Sequence, residues 1–276
     1  MAGMITYREK DCFIHRLSGL TKLVFFLLWT ITSMLTYDTR VLCVMLALSL
    51  VIFGASRTEW KQVASVFKMI MVFLVINLLA IYAFSPEEGC RIYKSTTVLR
   101  RFSARYTITA EQLFYEANIA VKYFTIIPAV FMFITATNPS EFAASLSGIG
   151  VHYNIGYSFA IALRYIPDVQ NDFRKIKSAQ EARGIEMSKK AHFMSRMKNM
   201  AAILFPLIFT SMDRIDVVSS AMELRGFGKK KKRTWYSGRP LKAGDYAVLA
   251  CTVLFCTAAL AVTYRDGSRF WNPFRH

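Results

Sequence analysis

The sequence predicts an all-α integral membrane protein with about five transmembrane helices and, on the cytoplasmic side, long amphipathic helices. Three observations carry that prediction. The 276-residue chain is 54% apolar, with a mean hydropathy of +0.31, yet its formal net charge is +17. Such values sit together only when apolar and charged residues are segregated along a chain, and here the apolar residues gather in five runs. Finally, two segments between about Ser158 and Lys232 show helical apolar periodicity with charges on their other faces. Each closes on a near-copy of one phrase, Glu181-Ala182-Arg183-Gly184 and Glu223-Leu224-Arg225-Gly226.

Taken in order, residues 1–19 are mixed and polar, with Arg8, Lys10, His15 and Arg16. The first apolar run, Leu20 to Tyr37, follows a basic start as a signal peptide would. No small-x-small cleavage site comes after it and a second run begins almost at once, so a retained helix is expected. The second run, Val41 to Ala55, follows the turn Asp38-Thr39-Arg40. It is short against the roughly 20 residues that cross a bilayer, but the tight linkage favours a helical hairpin. Arg57 and Lys61 then mark a cytoplasmic return for an N-terminus that lies inside. A third run, Met69 to Phe84, crosses outward, with Lys61 and Lys68 able to snorkel at its inner end.

Residues 85–110 form a polar connection holding Arg91, Lys94, Arg100, Arg101 and Arg105. Placing it outside runs against the positive-inside tendency. A stronger bias overrides that objection, since 18 of the chain's 35 Lys and Arg lie between Pro139 and Lys242. The fourth span, about Ala117 to Thr137, holds Pro128 near its middle and Lys122 near its outer end. An intramembrane lysine is a functional candidate by default; a lysine that snorkels outward, or pairs with Glu116 or Asn118, is the simpler reading. Ala243 to Tyr264 forms the last span, with the tail outside. The chain thus divides into residues 1–137 with four spans, a charged module at 138–242, and a final span and tail at 243–276.

Within the module, Phe159, Leu163, Ile166, Val169, Phe173 and Ile176 recur at spacings of three and four, one stripe of a helix. Arg164, Asp168, Asp172, Arg174, Lys175 and Lys177 on its other faces are too many charges for a lipid-embedded span. The second helix, from about Met194, repeats Met197, Ala201, Leu204, Ile208, Ile215, Val218 and Met222, with Pro206 expected to kink it. An arginine in the last turn offsets the helix dipole, and a glycine just beyond is a common left-handed stop. One such ending reads as a cap. Two, on consecutive amphipathic helices and each preceded by a glutamate, point to a shared purpose. Arginine offers a rigid five-donor fork to the carboxylates and carbonyls of a partner, and Ala182 is small enough to let that partner approach.

Covalent chemistry has no foothold in the sequence. Gly226-Phe227-Gly228-Lys229 lacks both the spacing and the hydroxyl of a phosphate loop. Cys12, Cys43, Cys90, Cys251 and Cys256 form no paired or metal-ligand pattern, and the four histidines (His15, His152, His192, His276) are scattered. Cys251 and Cys256 read as apolar filler within a span. Carboxylates are nearly absent from the spans, so a proton relay or an embedded hydrolase lacks its parts. The basic run Lys229 to Arg233, beside a membrane span, sets orientation and touches anionic headgroups rather than nucleic acid. Neither a catalytic residue nor a cofactor nor a metal is expected. A membrane-embedded enzyme acting on a phosphorylated lipid would need Asp, Glu or His clustered at one depth. A stand-alone secondary transporter would need inverted repeats and broken helices. The chain shows neither pattern.

An ordered set of short motifs remains: His15-Arg16-Leu17, Thr21-Lys22-Leu23, Thr137-Asn138-Pro139-Ser140-Glu141, Ala162-Leu163-Arg164-Tyr165-Ile166-Pro167, Ala179-Gln180-Glu181-Ala182-Arg183-Gly184 and Ala221-Met222-Glu223-Leu224-Arg225-Gly226. On these, over nearly its whole length, the chain resembles the transmembrane T component of energy-coupling factor (ECF) transporters, the micronutrient importers of bacteria and archaea. Leu224 departs from the family's usual alanine, and the 85–110 connection is long. The resemblance implies a scaffold in the prokaryotic plasma membrane between two cytoplasmic ABC ATPase subunits and a substrate-binding S component, whose cargo would be a vitamin, a metal ion or a haem-like nutrient. It implies that the amphipathic helices are coupling helices, docking on the ATPases through Ala182, Arg183 and Gly184 and through Leu224, Arg225 and Gly226. Their apolar faces, with Phe159, Leu163, Ile166, Met197, Leu204, Met212 and Met222, would form the platform for the S component. A methionine-rich surface suits a platform that repacks against a moving partner.

Overall fold

All five apolar runs fold as helices in the computed structural model, which describes residues 12–56, 60–101, 107–185, 193–229, 235, 238–265 and 268–273. After a short α1 (Phe13–Arg16), α2 (Gly19–Leu35) begins at Ser18, whose side chain accepts from the Leu20 amide. In the same way Asp38 starts α3 (Thr39–Ala55) by accepting from the Arg40 amide at 2.9 Å. Such side chains satisfy the free N–H groups at a helix start. Next come α4 (Trp60–Phe84), α5 (Glu88–Tyr93), the antiparallel pair β1 (Val98–Arg101) and β2 (Thr107–Thr109), and α6 (Ala110–Ala136). The chain ends through α7 (Pro139–Gly148), α8 (Tyr153–Ala182), α9 (Phe193–Leu224) and α10 (Ala243–Tyr264).

Among the described residues, three helices are long and apolar enough to cross a membrane: Val63–Phe84, Ala110–Ala136 and Ala243–Tyr264. The other two apolar helices, α2 and α3, have 17 residues each. At 1.5 Å per residue such a helix is about 25 Å long, the lower end of what spans a bilayer. Two boundaries differ from the sequence pattern. Helix α4 begins well before Met69, because helical backbone continues through its polar inner end, and α6 begins seven residues before Ala117 at a Thr109 cap. The 85–110 connection is not a plain loop. It holds α5 and the β1–β2 pair, pinned by the buried Glu111 carboxylate, which accepts from the Ser95 hydroxyl (2.9 Å), the Thr97 amide (2.9 Å) and the Thr97 hydroxyl (2.8 Å).

Helix α6 is the hub of the spans. Trp29, Val41, Met45, Ala129 and Ala259 form one core cluster with Phe25 and Phe255, drawn from α2, α3, α6 and α10. Val63, Ile127 and Phe131 form a second, in which α4 joins α6 and Phe53 of α3. Lipid is as apolar as leucine, so helices associate in it through close packing and satisfied small polar residues. Buried Thr125, Thr135, Thr252 and Thr263 each return a hydroxyl to the carbonyl one turn back. Thr36 and Thr263 bond directly between α10 and the end of α2.

Among the described residues Lys122 pairs with neither Glu116 nor Asn118. Its ammonium donates to the Met34 carbonyl at 3.0 Å and lies 3.1 Å from the centre of the Tyr37 ring. It thereby satisfies a carbonyl in the last turn of α2, which has no intrahelical partner there. The C-terminal tail closes over the same end: the Tyr37 amide donates to the Arg269 carbonyl at 3.0 Å, Phe270 stacks 4.6 Å from Tyr37, and the Asn272 side chain donates to the Tyr93 carbonyl at 2.9 Å.

The chain packs as two compact units, one ending at Phe142 and resuming at Arg239, the other comprising Ala143–Gly238.

Candidate functional site

Both amphipathic segments in the second unit form long helices, of 30 residues in α8 and 32 in α9. Pro167 and Pro206 sit inside them without ending them. The two are fastened side by side. Arg214 of α9 meets Asp172 of α8 at 2.6 Å and lies over the Tyr165 ring, and the Gln180 amide donates to the Ala202 carbonyl at 3.1 Å. Moving along α8 from Asp172 to Gln180, the partner in α9 moves back from Arg214 to Ala202, so the helices run in opposite directions.

The two Arg-Gly phrases end these helices in the same way. Gly184 takes φ +84 and Gly226 φ +69, the left-handed region that costs a glycine little. In the first, Gly184 donates to the Glu181 carbonyl (3.0 Å) and Ile185 to that of Gln180 (3.1 Å). In the second, Gly226 donates to Glu223 (2.8 Å) and Phe227 to Met222 (3.0 Å). Both are complete Schellman stops, in which the two amides after the cap satisfy carbonyls of the last turn. Arg183 and Arg225 occupy the cap position itself, and both side chains are exposed. Among the described residues neither guanidinium pairs with a carboxylate, the nearby Glu181 meeting Lys177 instead. Glycine therefore does the stopping, and the backbone aims two unpaired arginine forks outward. Ala182 and Leu224 close the helices, Leu224 being 90% exposed.

Of the platform residues, Phe159, Ile166, Met197, Leu204 and Met212 are 41–55% exposed, while Leu163 and Met222 are half-buried. Met222 lines a groove of about 390 Å³ between α8 and α9, with Ala162, Tyr165, Val169, Ile215 and Val218. Sequence reasoning passed over Phe205 and Phe209, which extend the exposed apolar face of α9. Contiguous apolar surface of this kind marks a partner or a membrane.

It also passed over an aromatic nest. Phe227, the residue after the second stop, packs 4.7 Å from Tyr157 and 6.1 Å from Tyr153, and Trp235 lies 5.3 Å from Tyr153. The nest closes on Gly156, where a Cβ would stand 2.8 Å from the Ala143 carbonyl oxygen and 3.3 Å from the Trp235 ring. Only a glycine admits that approach. The end of α9 is thus held against the start of α8. The signal available in the sequence was the i, i+4 tyrosine pair around a glycine. Among the described residues no group of His, Cys, Asp or Glu could hold a metal ion.

Comparison with known proteins agrees with this architecture. The family model described as cobalt transport protein, CbiQ, matches residues 10–236. The energy-coupling factor transporter transmembrane protein of Bacillus selenitireducens is 26% identical, over 95% of this chain and 97% of its own. That of Clostridium kluyveri is 24% identical over 96% of each. A putative ABC transporter ATP-binding protein of Bifidobacterium longum is 26% identical over 90% of this chain but only 32% of its own length. With matches that run from end to end, and helices apolar enough to cross a membrane, the chain belongs to the CbiQ cobalt transport protein family and is a transmembrane component of an energy-coupling factor transporter.

Proposed function

We propose that this chain is the coupling scaffold of an ECF importer, carrying ATP-driven motion from two cytoplasmic ABC ATPases to a substrate-binding S component for the uptake of a vitamin, metal ion or haem-like nutrient. The observation that carries the reading is the matched pair of stops, each presenting an exposed, unpaired arginine at the end of a long amphipathic helix. Residues 138–242 act as the cytoplasmic coupling module, with Ala182, Arg183 and Gly184 on one ATPase and Leu224, Arg225 and Gly226 on the other. The packing of 143–238 as a unit of its own supports that division. So does the Bifidobacterium longum relative, where a stretch similar to this chain is part of a protein named for ATP binding. The chain itself is non-catalytic, and hydrolysis belongs to its partners. The exposed apolar side chains of α8 and α9 form the S-component platform.

The test is co-purification from native membranes in mild detergent. The native chain should bring down two ATPase subunits and one S component. Truncating one partner of a buried, hydrogen-bonded charge pair costs about 2–5 kcal/mol. The Arg183→Ala, Arg225→Ala double variant should therefore retain about 30-fold less ATPase or worse, at about 1.4 kcal/mol per tenfold, while still inserting in the membrane. Undiminished ATPase recovery would reduce both arginines to helix caps.

A further inference from the structure

Three of the motifs noted in the sequence take no part in the Arg-Gly stops: His15-Arg16-Leu17, Thr21-Lys22-Leu23 and Thr137-Asn138-Pro139-Ser140-Glu141. Within the first unit they converge. Arg239 Nε stands 2.6 Å from Glu141 Oε1, and its Nη1 donates to the His15 carbonyl at 3.3 Å. Lys22, 2% exposed, donates to the same His15 carbonyl at 3.3 Å and to the Ala136 carbonyl at 2.7 Å, and lies 4.0 Å from Glu141 Oε2. Asp245 completes the cluster by accepting from the Ser18 amide and the Thr21 hydroxyl, both at 2.8 Å, and from the Lys242 amide at 2.9 Å. One polar knot therefore joins the end of α1, the start of α2, the end of α6, the start of α7 and the start of α10.

Its position along the chain gives it meaning. The chain leaves the first unit after Phe142 and returns to it at Arg239. Glu141 and Arg239, the residues that pair, stand beside those two crossings. These crossings are the covalent paths by which α8 and α9 connect to the spans. With Arg239 half-exposed and Glu141 buried, such a pair adds little net stability. What it does supply is geometry, because hydrogen-bonded polar side chains orient one another.

We propose that Glu141 and Arg239, seated on Lys22, form a clasp that holds the two crossings together, so that movement of the Arg-Gly helices reaches both crossings in step and re-spaces the helices of the spans. They are positioning residues, and the proposal rests on the coupling reading above. Lys22 fixes Glu141 from below while tying the end of α6 to the clasp, and Asp245 locks the start of α10 to the same floor. With the clasp open, the two crossings move independently, and the stroke of the ATPases is spent on the linkers.

The experiment uses the whole complex in lipid vesicles, with its native cysteines replaced and spin labels at Leu48→Cys and Leu254→Cys, two exposed positions on different spans. Distance distributions are recorded with and without ADP-vanadate, and ATPase rates in parallel. The native complex should show a nucleotide-dependent shift. In Arg239→Met the ATPase rate should stay within about twofold of native while the shifted population falls by about tenfold, within the usual range of coupling between sites. Arg239→Lys keeps the charge and loses the fork; at a native ATPase rate its shifted population should lie between those of Arg239→Met and the native complex, a graded recovery that a merely structural defect would not give. Where Arg239→Met does not assemble, Arg239→Lys decides alone, and it should shift less than native. A native-sized shift in whichever of these variants assembles overturns the clasp alone. The lack of any shift in the native complex overturns the coupling reading and the clasp with it.

Discussion

At the scale of single residues, each Arg-Gly stop divides its labour between two neighbours. The glycine satisfies the helix end, and the arginine pairs with no carboxylate among the described residues. A non-glycine residue at positive φ costs about 1–2 kcal/mol. Gly184→Ala and Gly226→Ala should each lower the unfolding temperature of the purified chain. Exposed substitutions away from such features stay within about 0.5 kcal/mol, so Arg183→Ala and Arg225→Ala should leave that temperature nearly unchanged. A melting point that falls as far for the arginine variants as for the glycine variants would mean that the arginines are caps. The stops were legible in the sequence because cap chemistry is local, set by the glycine and the helical period before it. The clasp was not. Lys22, Glu141, Arg239 and Asp245 are spread over most of the chain, and no local rule brings them together.

At the scale of elements, every apolar run was legible because length and hydropathy suffice to mark a helix. The α5 turn and the β1–β2 pair were not, since a six-residue helix and strands of four and three residues carry too little periodicity. The aromatic nest was hidden for another reason: Gly156, Phe227 and Trp235 meet only once α8 and α9 lie together. Gly156→Val tests its role. The added side chain must displace the Ala143 carbonyl or Trp235, and overpacking of that kind costs about 1–3 kcal/mol. The nest should open, seen as faster proteolysis after Lys229 and a red shift in Trp235 emission once the other three tryptophans are replaced. If both signals match the native chain, the nest does not hold the second stop in place.

The whole molecule carries two surfaces that its own sequence cannot complete. Among the described residues the arginine forks pair with no carboxylate, and much of the apolar face of α9 is exposed, which is why their chemistry was legible but the cargo is not. Orientation in the membrane is testable directly. With Thr96→Cys or Ser178→Cys as the single thiol, both at exposed positions, a membrane-impermeant reagent should label residue 96 in intact cells and residue 178 only after permeabilisation. The opposite pattern would invert the topology and remove the coupling module from the cytoplasm.

The tail has a bearing on how such a protein is made. Tyr37 leaves the ribosome well before its partners Arg269 and Phe270, which follow it by 232 and 233 residues. At about 5–20 residues per second, Tyr37 waits on the order of 10 seconds or more for them. The Lys122 ammonium beneath Tyr37 goes without its finished cover from its own synthesis until theirs. The tail can dock only once the helices between these partners have been made, so the Tyr37–Phe270 contact reports that those helices are in place.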